Sequence, residues 1–266
     1  MDSFKGKSAL ITGASSGIGY EFVKLFAKDG ANLIITARSE ERLLNIKREI
    51  ENKHKVSVLV LAKDLSRSEA PEEICNQLGD KGIPVDILVN NAGVGYLGNF
   101  SDTDLEKHLK IIQLNILSLV HLTGLLLPSM IENGYGKILN VSSMGGFCGI
   151  PLHSVYSATK AFVLTFTESI AIELEGTGVT VTCLCPGPTK TNFFKSAEIE
   201  NVRYVRYGLM GADKVAKVGF DALKNDKTIA VPGLRNKFFI FMERFIPRKT
   251  ITKMAKKLHE SNSPDI

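Results

Sequence analysis

Tyr156 and Lys160 stand four residues apart in Tyr156-Ser157-Ala158-Thr159-Lys160, a stretch with helical spacing, so both side chains leave one face of a single turn. A phenol with its ordinary pKa near 10 is only about 0.1 % ionised at neutral pH, too little for a useful base. A lysine ammonium about 4–5 Å away, at an effective dielectric of about 20, contributes roughly 3–4 kcal/mol. That equals about two to three pKa units and predicts a phenol brought towards working pH, where general acid–base exchange is efficient. Ser143 follows the apolar run Ile138–Val141, which reads as a buried strand. Its hydroxyl is therefore expected at a strand's carboxyl end, where it can hold a substrate oxygen beside the phenol. Ser142 is the alternative for that role.

Positioning such a group requires a rigid frame, and the chain supplies one. Short apolar runs alternate with amphipathic stretches. Strands are expected at Ser8–Thr12, Asn32–Ala37, Val56–Ala62, Asp86–Asn90, Lys137–Val141, Val179–Cys185 and Thr228–Val231. Helices are expected at Gly17–Asp29, Glu40–Lys53, Glu69–Leu78, Asp104–Glu132, Tyr156–Leu174 and Ala212–Lys224. Continuous Val/Ile/Leu strands separated by helices predict an α/β fold of the Rossmann-like kind, a doubly wound parallel sheet covered on both faces. Ligands of such sheets bind beyond the carboxyl ends of the strands, and the unusual residues fall there.

After the first strand comes Thr12-Gly13-Ala14-Ser15-Ser16-Gly17-Ile18-Gly19. Its glycines allow a tight turn and close approach of the backbone to a pyrophosphate, and the following helix N-terminus offers unpaired N–H groups. The second strand ends in Ala37-Arg38-Ser39, without the carboxylate that would meet a ribose 2′-hydroxyl. A guanidinium and a hydroxyl suit a 2′-phosphate instead, so NADP(H) is expected over NAD(H). Ser39 also reads as a helix N-cap ahead of Glu40 and Glu41. Asp64 and Leu65 close the third strand, where a carboxylate can accept from an adenine amino group. Asn91, Ala92 and Gly93 close the fourth, small and polar where a ribose would pass. Pro186, Gly187, Thr189 and Thr191 close the sixth, with hydroxyls within reach of a nicotinamide amide and phosphates.

Taken together, Thr-Gly-x-x-x-Gly-x-Gly at 12–19, Asn-Asn-Ala-Gly at 90–93, Asn115, Ser143, Tyr156-x-x-x-Lys160 and Pro186-Gly187 resemble the signature of the classical short-chain dehydrogenases/reductases over about residues 6–232. The resemblance implies that Tyr156 exchanges a proton with the substrate oxygen, that Ser143 orients that oxygen, and that Lys160 lowers the tyrosine pKa and binds the nicotinamide ribose. It implies that Asn115 holds a water in the relay to Lys160, and it selects Ser143 over Ser142 by its spacing to Tyr156. The expected activity is hydride transfer between NADP(H) and a carbonyl or alcohol. A non-catalytic NADP(H)-binding redox regulator is the alternative on the same fold.

Substrate-pocket residues are expected in three segments, with Tyr96, Leu97, Met144, Phe147, His153, Phe193, Phe194 and Tyr207 as lining. Their apolar character favours a hydrophobic ketone or secondary alcohol, fatty-acyl (3-oxoacyl) or steroid-like. The five histidines share no clustering, so no metal is expected. The four cysteines, without metal or disulfide spacing, and a first strand that begins almost at once predict a cytoplasmic chain.

The net charge of +5 is placed unevenly. Residues 235–266 hold eight Lys/Arg against three Asp/Glu, while the rest carries 25 of each sign, which argues against nucleic acid as partner. Residues 1–233 thus read as one dinucleotide-binding and catalytic domain, and 234–266 as a basic, apolar helical extension divided by Pro247. That extension is expected either to roof the substrate cleft or, in addition, to rest on an anionic membrane through residues 234–260. The helices Asp104–Glu132 and Tyr156–Leu174 carry more apolar residues than one sheet face can cover, and with the resemblance they imply a homodimer or homotetramer.

Overall fold

In the computed structural model, which describes residues 3–191, 193 and 208–260, seven parallel strands form one sheet. The strands are β1 (Ser8–Thr12), β2 (Asn32–Ala37), β3 (Val58–Ala62), β4 (Ile87–Asn90), β5 (Gly136–Val141), β6 (Val179–Leu184) and β9 (Ile229–Ala230). Their spatial order is β3-β2-β1-β4-β5-β6-β9. Strand β1 pairs with both β2 and β4, so the order reverses at β1 and opens a crevice at its carboxyl end. This is the doubly wound arrangement expected from the alternating pattern.

The strands are mostly apolar because both faces are covered. Helices α1 (Gly17–Lys28), α2 (Glu40–Lys53) and α7 (Ala212–Lys224) cover one face, where Phe4, Phe22, Phe26 and Phe220 pack with Ile11 and Ile35. Helices α3 (Ala70–Asp80), α5 (Ser118–Glu132) and α6 (Ser154–Glu173) cover the other, with Leu10, Leu88, Leu122, Met130 and Ile138 at its centre. A chain of buried amides ties the strand ends to those helices. Asn90 Nδ2 donates to Asn140 Oδ1 at 2.9 Å and to Thr123 Oγ1 at 3.1 Å, and Asn140 Nδ2 donates to Thr167 Oγ1 at 3.0 Å.

The long helix expected over Asp104–Glu132 is divided. Asp104 caps α4 (Leu105–Ile112) by accepting from the Glu106 amide, and a π turn at Gln113–Leu117 separates α4 from α5. The stretch Leu105–Glu132 has 28 residues and a mean hydropathy of 1.7 in its most apolar window, long and apolar enough to cross a membrane. Here Leu114, Leu122, Leu126 and Met130 bury against the sheet. A two-residue ladder, β7 (Thr189–Lys190) with β8 (Met210–Gly211), joins the two ends of the 191–209 segment. Beyond Gly233 follow α8 (Leu234–Glu243) and α9 (Arg248–His259), with Pro247 as the cap between them.

Candidate active site

The turn after β1 is stitched to the end of β4. Thr12 Oγ1 donates to the Val89 carbonyl at 3.2 Å and accepts from the amides of Asn91 and Ala92, both at 2.9 Å. Asn91 Nδ2 donates to the Thr12 carbonyl at 2.8 Å. A Cβ at Gly19 would lie 2.3 Å from the Gly13 carbonyl oxygen and 2.5 Å from Asn91 Nδ2, which no side chain can satisfy. Gly17 has φ +56°, a left-handed value that glycine adopts without strain. The first turn of α1 carries no acidic residue, and Ser16 at its N-cap makes no side-chain capping bond. Its N–H groups and positive dipole end are therefore available to an anion in the cleft that Gly13, Ser15, Ser16, Gly17 and Ile18 line.

That cleft, about 1630 Å³, follows the strands' carboxyl ends. Arg38, Ser39, Asp64, Leu65, Asn91, Ala92, Gly93, Pro186, Gly187, Thr189 and Thr191 all line it, while Gly19 sits buried behind the turn. Ser39 precedes α2 without a side-chain capping bond, so its hydroxyl is not used as a cap. Arg42, one helical turn on, faces the same cleft and was not anticipated. Burial pushes the Asp64 carboxyl up, but hydrogen bonds from Ser66 and the charges of Arg38 and Lys110 outweigh it and hold the group below its ordinary value. A glycine cradle that no Cβ fits and a helix start free of acids, beside a strand end without a carboxylate, fit a dinucleotide.

Ser143, Tyr156 and Lys160 meet farther along the same cleft. Ser143, just past the end of β5, accepts from the Gly145 amide at 3.0 Å, and its hydroxyl is close enough to the Tyr156 phenol to favour the phenolate. Ser142 instead donates to the Lys160 carbonyl at 2.6 Å and ties α6 to the end of β5, so its hydroxyl is already engaged. Lys160 Nζ donates to the Val141 carbonyl at 2.8 Å and lies 5.7 Å from the centre of the Tyr156 ring.

The electrostatics differ from the sequence expectation. Burial pushes the Tyr156 phenol up to about 12, with only the Ser143 hydrogen bond pulling it back. Burial likewise pushes the Lys160 amine down to about 8. Spacing announced the pair, but the low-dielectric setting disfavours both charged forms and dominates over their attraction.

Asn115 lies in the π turn and is 1 % exposed. Its Oδ1 accepts from the Val94 amide at 2.9 Å, and its Nδ2 donates to the Val94 carbonyl and to Thr159 Oγ1, both at 3.0 Å. Both polar ends of the side chain are thus engaged with the β4–α4 loop and α6, so the amide acts as a strut between them. A Cβ at Gly93 would lie 3.3 Å from Asn115 Oδ1 and 3.4 Å from Lys160 Nζ, so the glycine lets the two approach.

Of the expected substrate residues, Met144, His153 and Phe193 line the cleft, and the Phe193 ring lies 5.5 Å from that of Tyr156. Tyr96 and Leu97 do not line it; Lys107 Nζ covers the Tyr96 ring at 4.0 Å. Phe147 points inward, packing on Leu164, Cys183 and Cys185. Phe194 and Tyr207 lie outside the described residues. His153 is buried, with its ring 5.5 Å from those of Tyr156 and of His259 on α9. Cys148, Ile150, the inner faces of α8 and α9 with Phe239, Met242 and Met254, and Ile246 in the turn between them complete the wall. The apolar content of α8 was the signal for this roof.

The sequence profile described as short chain dehydrogenase matches residues 7–201. The ketoacyl reductase HetN of Nostoc sp. is 32 % identical over 229 residues, 86 % of this chain and 79 % of that protein. A solved short-chain dehydrogenase from Sphingobium yanoikuyae in complex with NADPH superposes with a TM-score of 0.81 at 27 % identity, covering 96 % of this chain and 99 % of that one. A solved 7beta-hydroxysteroid dehydrogenase superposes with a TM-score of 0.85 at 27 % identity, covering 94 % and 97 %. The chain belongs to the short-chain dehydrogenase family. It is an oxidoreductase with the family's Rossmann-like fold, acting on CH–OH groups and their carbonyl counterparts.

Proposed function

We propose that the protein is an NADP(H)-dependent carbonyl reductase, and in reverse an alcohol dehydrogenase, for a hydrophobic ketone or secondary alcohol of 3-oxoacyl or hydroxysteroid type. The observation that carries this reading is the convergence of Ser143, Tyr156 and Lys160 in a cleft whose other arm is the glycine cradle. In this reading the start of α1 holds the pyrophosphate, while Arg38, Ser39 and Arg42 receive a 2′-phosphate. Asp64 and Leu65 take the adenine, and Asn91–Gly93 flank the adenosine ribose. Lys160 and Tyr156 hold the nicotinamide ribose, beside the Pro186–Thr191 turn. Bound there, the nicotinamide supplies or takes up the hydride at the substrate carbon.

The chain's own residues handle the oxygen. The Ser143 and Tyr156 hydroxyls, neighbours in the cleft, grip the substrate oxygen together. Tyr156 passes its proton to that oxygen as negative charge develops, and Lys160 beneath it steadies the resulting phenolate. Asn115 keeps the loop at Val94 and helix α6 in register and so positions the tyrosine. The apolar wall from Met144 and Phe193 to the roof helices excludes water and selects a hydrophobic body. The reading also takes residues 1–233 as the catalytic unit, working as a homodimer or homotetramer. The similarity to a ketoacyl reductase and to a hydroxysteroid dehydrogenase supports the substrate class.

The deciding experiment is Tyr156→Phe assayed with NADPH and a panel of hydrophobic ketones. Turnover should fall at least a thousandfold while NADPH still binds with near wild-type affinity. Turnover above a few per cent of wild type would remove Tyr156 from the chemistry. Wild-type protein that binds NADPH and reduces nothing would favour the regulator reading instead.

A further inference from the structure

Helix α8 has two apolar faces. One, with Phe239 and Met242, lines the cleft. The other is a stripe at i, i+3 and i+7, formed by Phe238 and Phe241 and continued by Phe245 just past the helix end. Those three side chains are 60 %, 54 % and 68 % exposed, and α8 buries no residue fully. Phe241 and Phe245 meet edge to face at 5.2 Å, so the stripe is continuous at its end. A surface helix of an ordinary domain keeps such a stripe against its core. Here it points away from the domain.

What surrounds the stripe identifies its partner. Lys237, Arg244, Arg248 and Lys249 are all exposed around it. Residues 235–266 carry the chain's whole net charge of +5, the remainder being neutral. Phenylalanines on a helix rimmed by lysine and arginine are the composition of a segment that lies in a membrane interface. A second copy of this chain fits poorly, since a two-fold contact would press one cationic rim against another. Neither helix is long enough to span a bilayer, α8 having 10 residues and α9 having 12.

We propose that α8 is an interfacial anchor that seats Phe238, Phe241 and Phe245 in the surface of an anionic bilayer, with the flanking cations on lipid headgroups. The roof of the cleft is then the part of the enzyme that touches the membrane. An amphiphilic substrate dissolved in the bilayer meets the protein at the same helix that walls its cleft. Only this last consequence rests on the reductase reading; the anchor stands on exposure and charge.

Co-sedimentation of the full-length protein with phosphatidylcholine vesicles and with equimolar phosphatidylcholine/phosphatidylglycerol vesicles tests it. At about 20 mM salt the anionic vesicles should bind at least tenfold more tightly, and about 0.5 M salt should remove most of that difference. The triple variant Phe238→Ser, Phe241→Ser, Phe245→Ser should bind about a hundredfold more weakly, from the apolar area no longer inserted. None of the three lines the cleft, so turnover of a small water-soluble ketone should persist in the variant, and its circular dichroism should match wild type. Wild-type protein left in the supernatant with anionic vesicles at low salt overturns the proposal. So does undiminished binding by the triple variant. A triple variant that loses subunits by light scattering, from a wild type that ignores vesicles, assigns the stripe to a second copy and overturns it equally.

Discussion

Replacing Asn115 by alanine tests how the π turn serves the site. The substitution removes an acceptor from the Val94 amide and donors from the Val94 carbonyl and Thr159 Oγ1. A net hydrogen bond is worth about 1 kcal/mol, and a polar group left unpaired away from water costs about 1–3 kcal/mol more. Val94 is only partly buried, so water can satisfy some of what is lost. The expected cost is therefore about 2–4 kcal/mol. With an unfolding entropy of about 2.1 cal/mol/K per residue, a chain of this length should lose roughly 4–7 °C in melting temperature.

The strut also has a catalytic consequence, because Gly93 and Gly95 on either side of Val94 sit so close that a Cβ would come within 3.4 Å of Lys160 Nζ and 3.1 Å of the Tyr156 ring. Turnover should fall tenfold or more while the Kd for NADPH changes little. Thr159→Val, which removes one of the three bonds, should cost about 1 kcal/mol. In a double-mutant cycle the two changes should couple by about 1 kcal/mol, measured by urea unfolding. Asn115→Asp offers a second check, since a carboxylate would accept from the Val94 amide but oppose the Val94 carbonyl. An Asn115→Ala protein that melts within about 1 °C of wild type, with strictly additive energies in the cycle, would refute the strut.

Three further outcomes follow from particular residues. Arg38→Ala should lower kcat/KM for NADPH about ten- to hundredfold, the worth of one charge-assisted contact, and leave NADH unchanged; equal losses with both cofactors would count against a 2′-phosphate site. Burial, with His259 adding to it, pushes His153 down to about 3, well below its ordinary value. The unfolded chain then binds the extra proton between pH 6.5 and 3, so stability should fall with acidification by about 1.4 kcal/mol per pH unit in that window; a His153→Gln variant showing the same slope would place the cause elsewhere. Light scattering at micromolar concentration should show a dimer or tetramer, because Leu109 of α4, Leu117 of the π turn, Leu125 of α5 and Phe162 of α6 remain exposed on one chain; a monomer would contradict it.

Much of this architecture was legible because its signals are local. A strand buried on both faces must be apolar without interruption, so the bounds of β1 and β2 could be read directly from Ser8–Thr12 and Asn32–Ala37. The glycines after β1 mark a turn that no Cβ fits, and the serine, tyrosine and lysine are marked by type and spacing. The π turn was hidden because Gln113–Leu117 sits in a segment so apolar that no period stands out; the one-residue slip shows only when Asn115 finds Val94. Tyr96 and Phe147 were misplaced because composition puts an aromatic near a cleft without saying which way it turns. Lys107 and the small cluster at Cys183 decide that, and both are distant in sequence.

The electrostatics of Tyr156 and Lys160 could not be read from spacing at all, since burial is a property of the whole fold, and they bear on the direction of the reaction. A phenol held at about 12 is protonated throughout the neutral range, and an amine held at about 8 is charged for the most part below that pH. Such a pair is set to give a proton to an oxygen that is becoming an alkoxide, which is the demand of carbonyl reduction. Alcohol oxidation needs the phenolate instead, whose share grows about tenfold for each pH unit below the phenol pKa. Ketone reduction should therefore be nearly level with pH around neutrality, whereas oxidation of the same alcohol should climb into the alkaline range. Initial rates in both directions, measured with one ketone–alcohol pair at saturating cofactor, distinguish this from a phenol already lowered by its lysine. In that case oxidation would level off near neutral pH, and the attraction between the two groups, not their burial, would set the chemistry of the site.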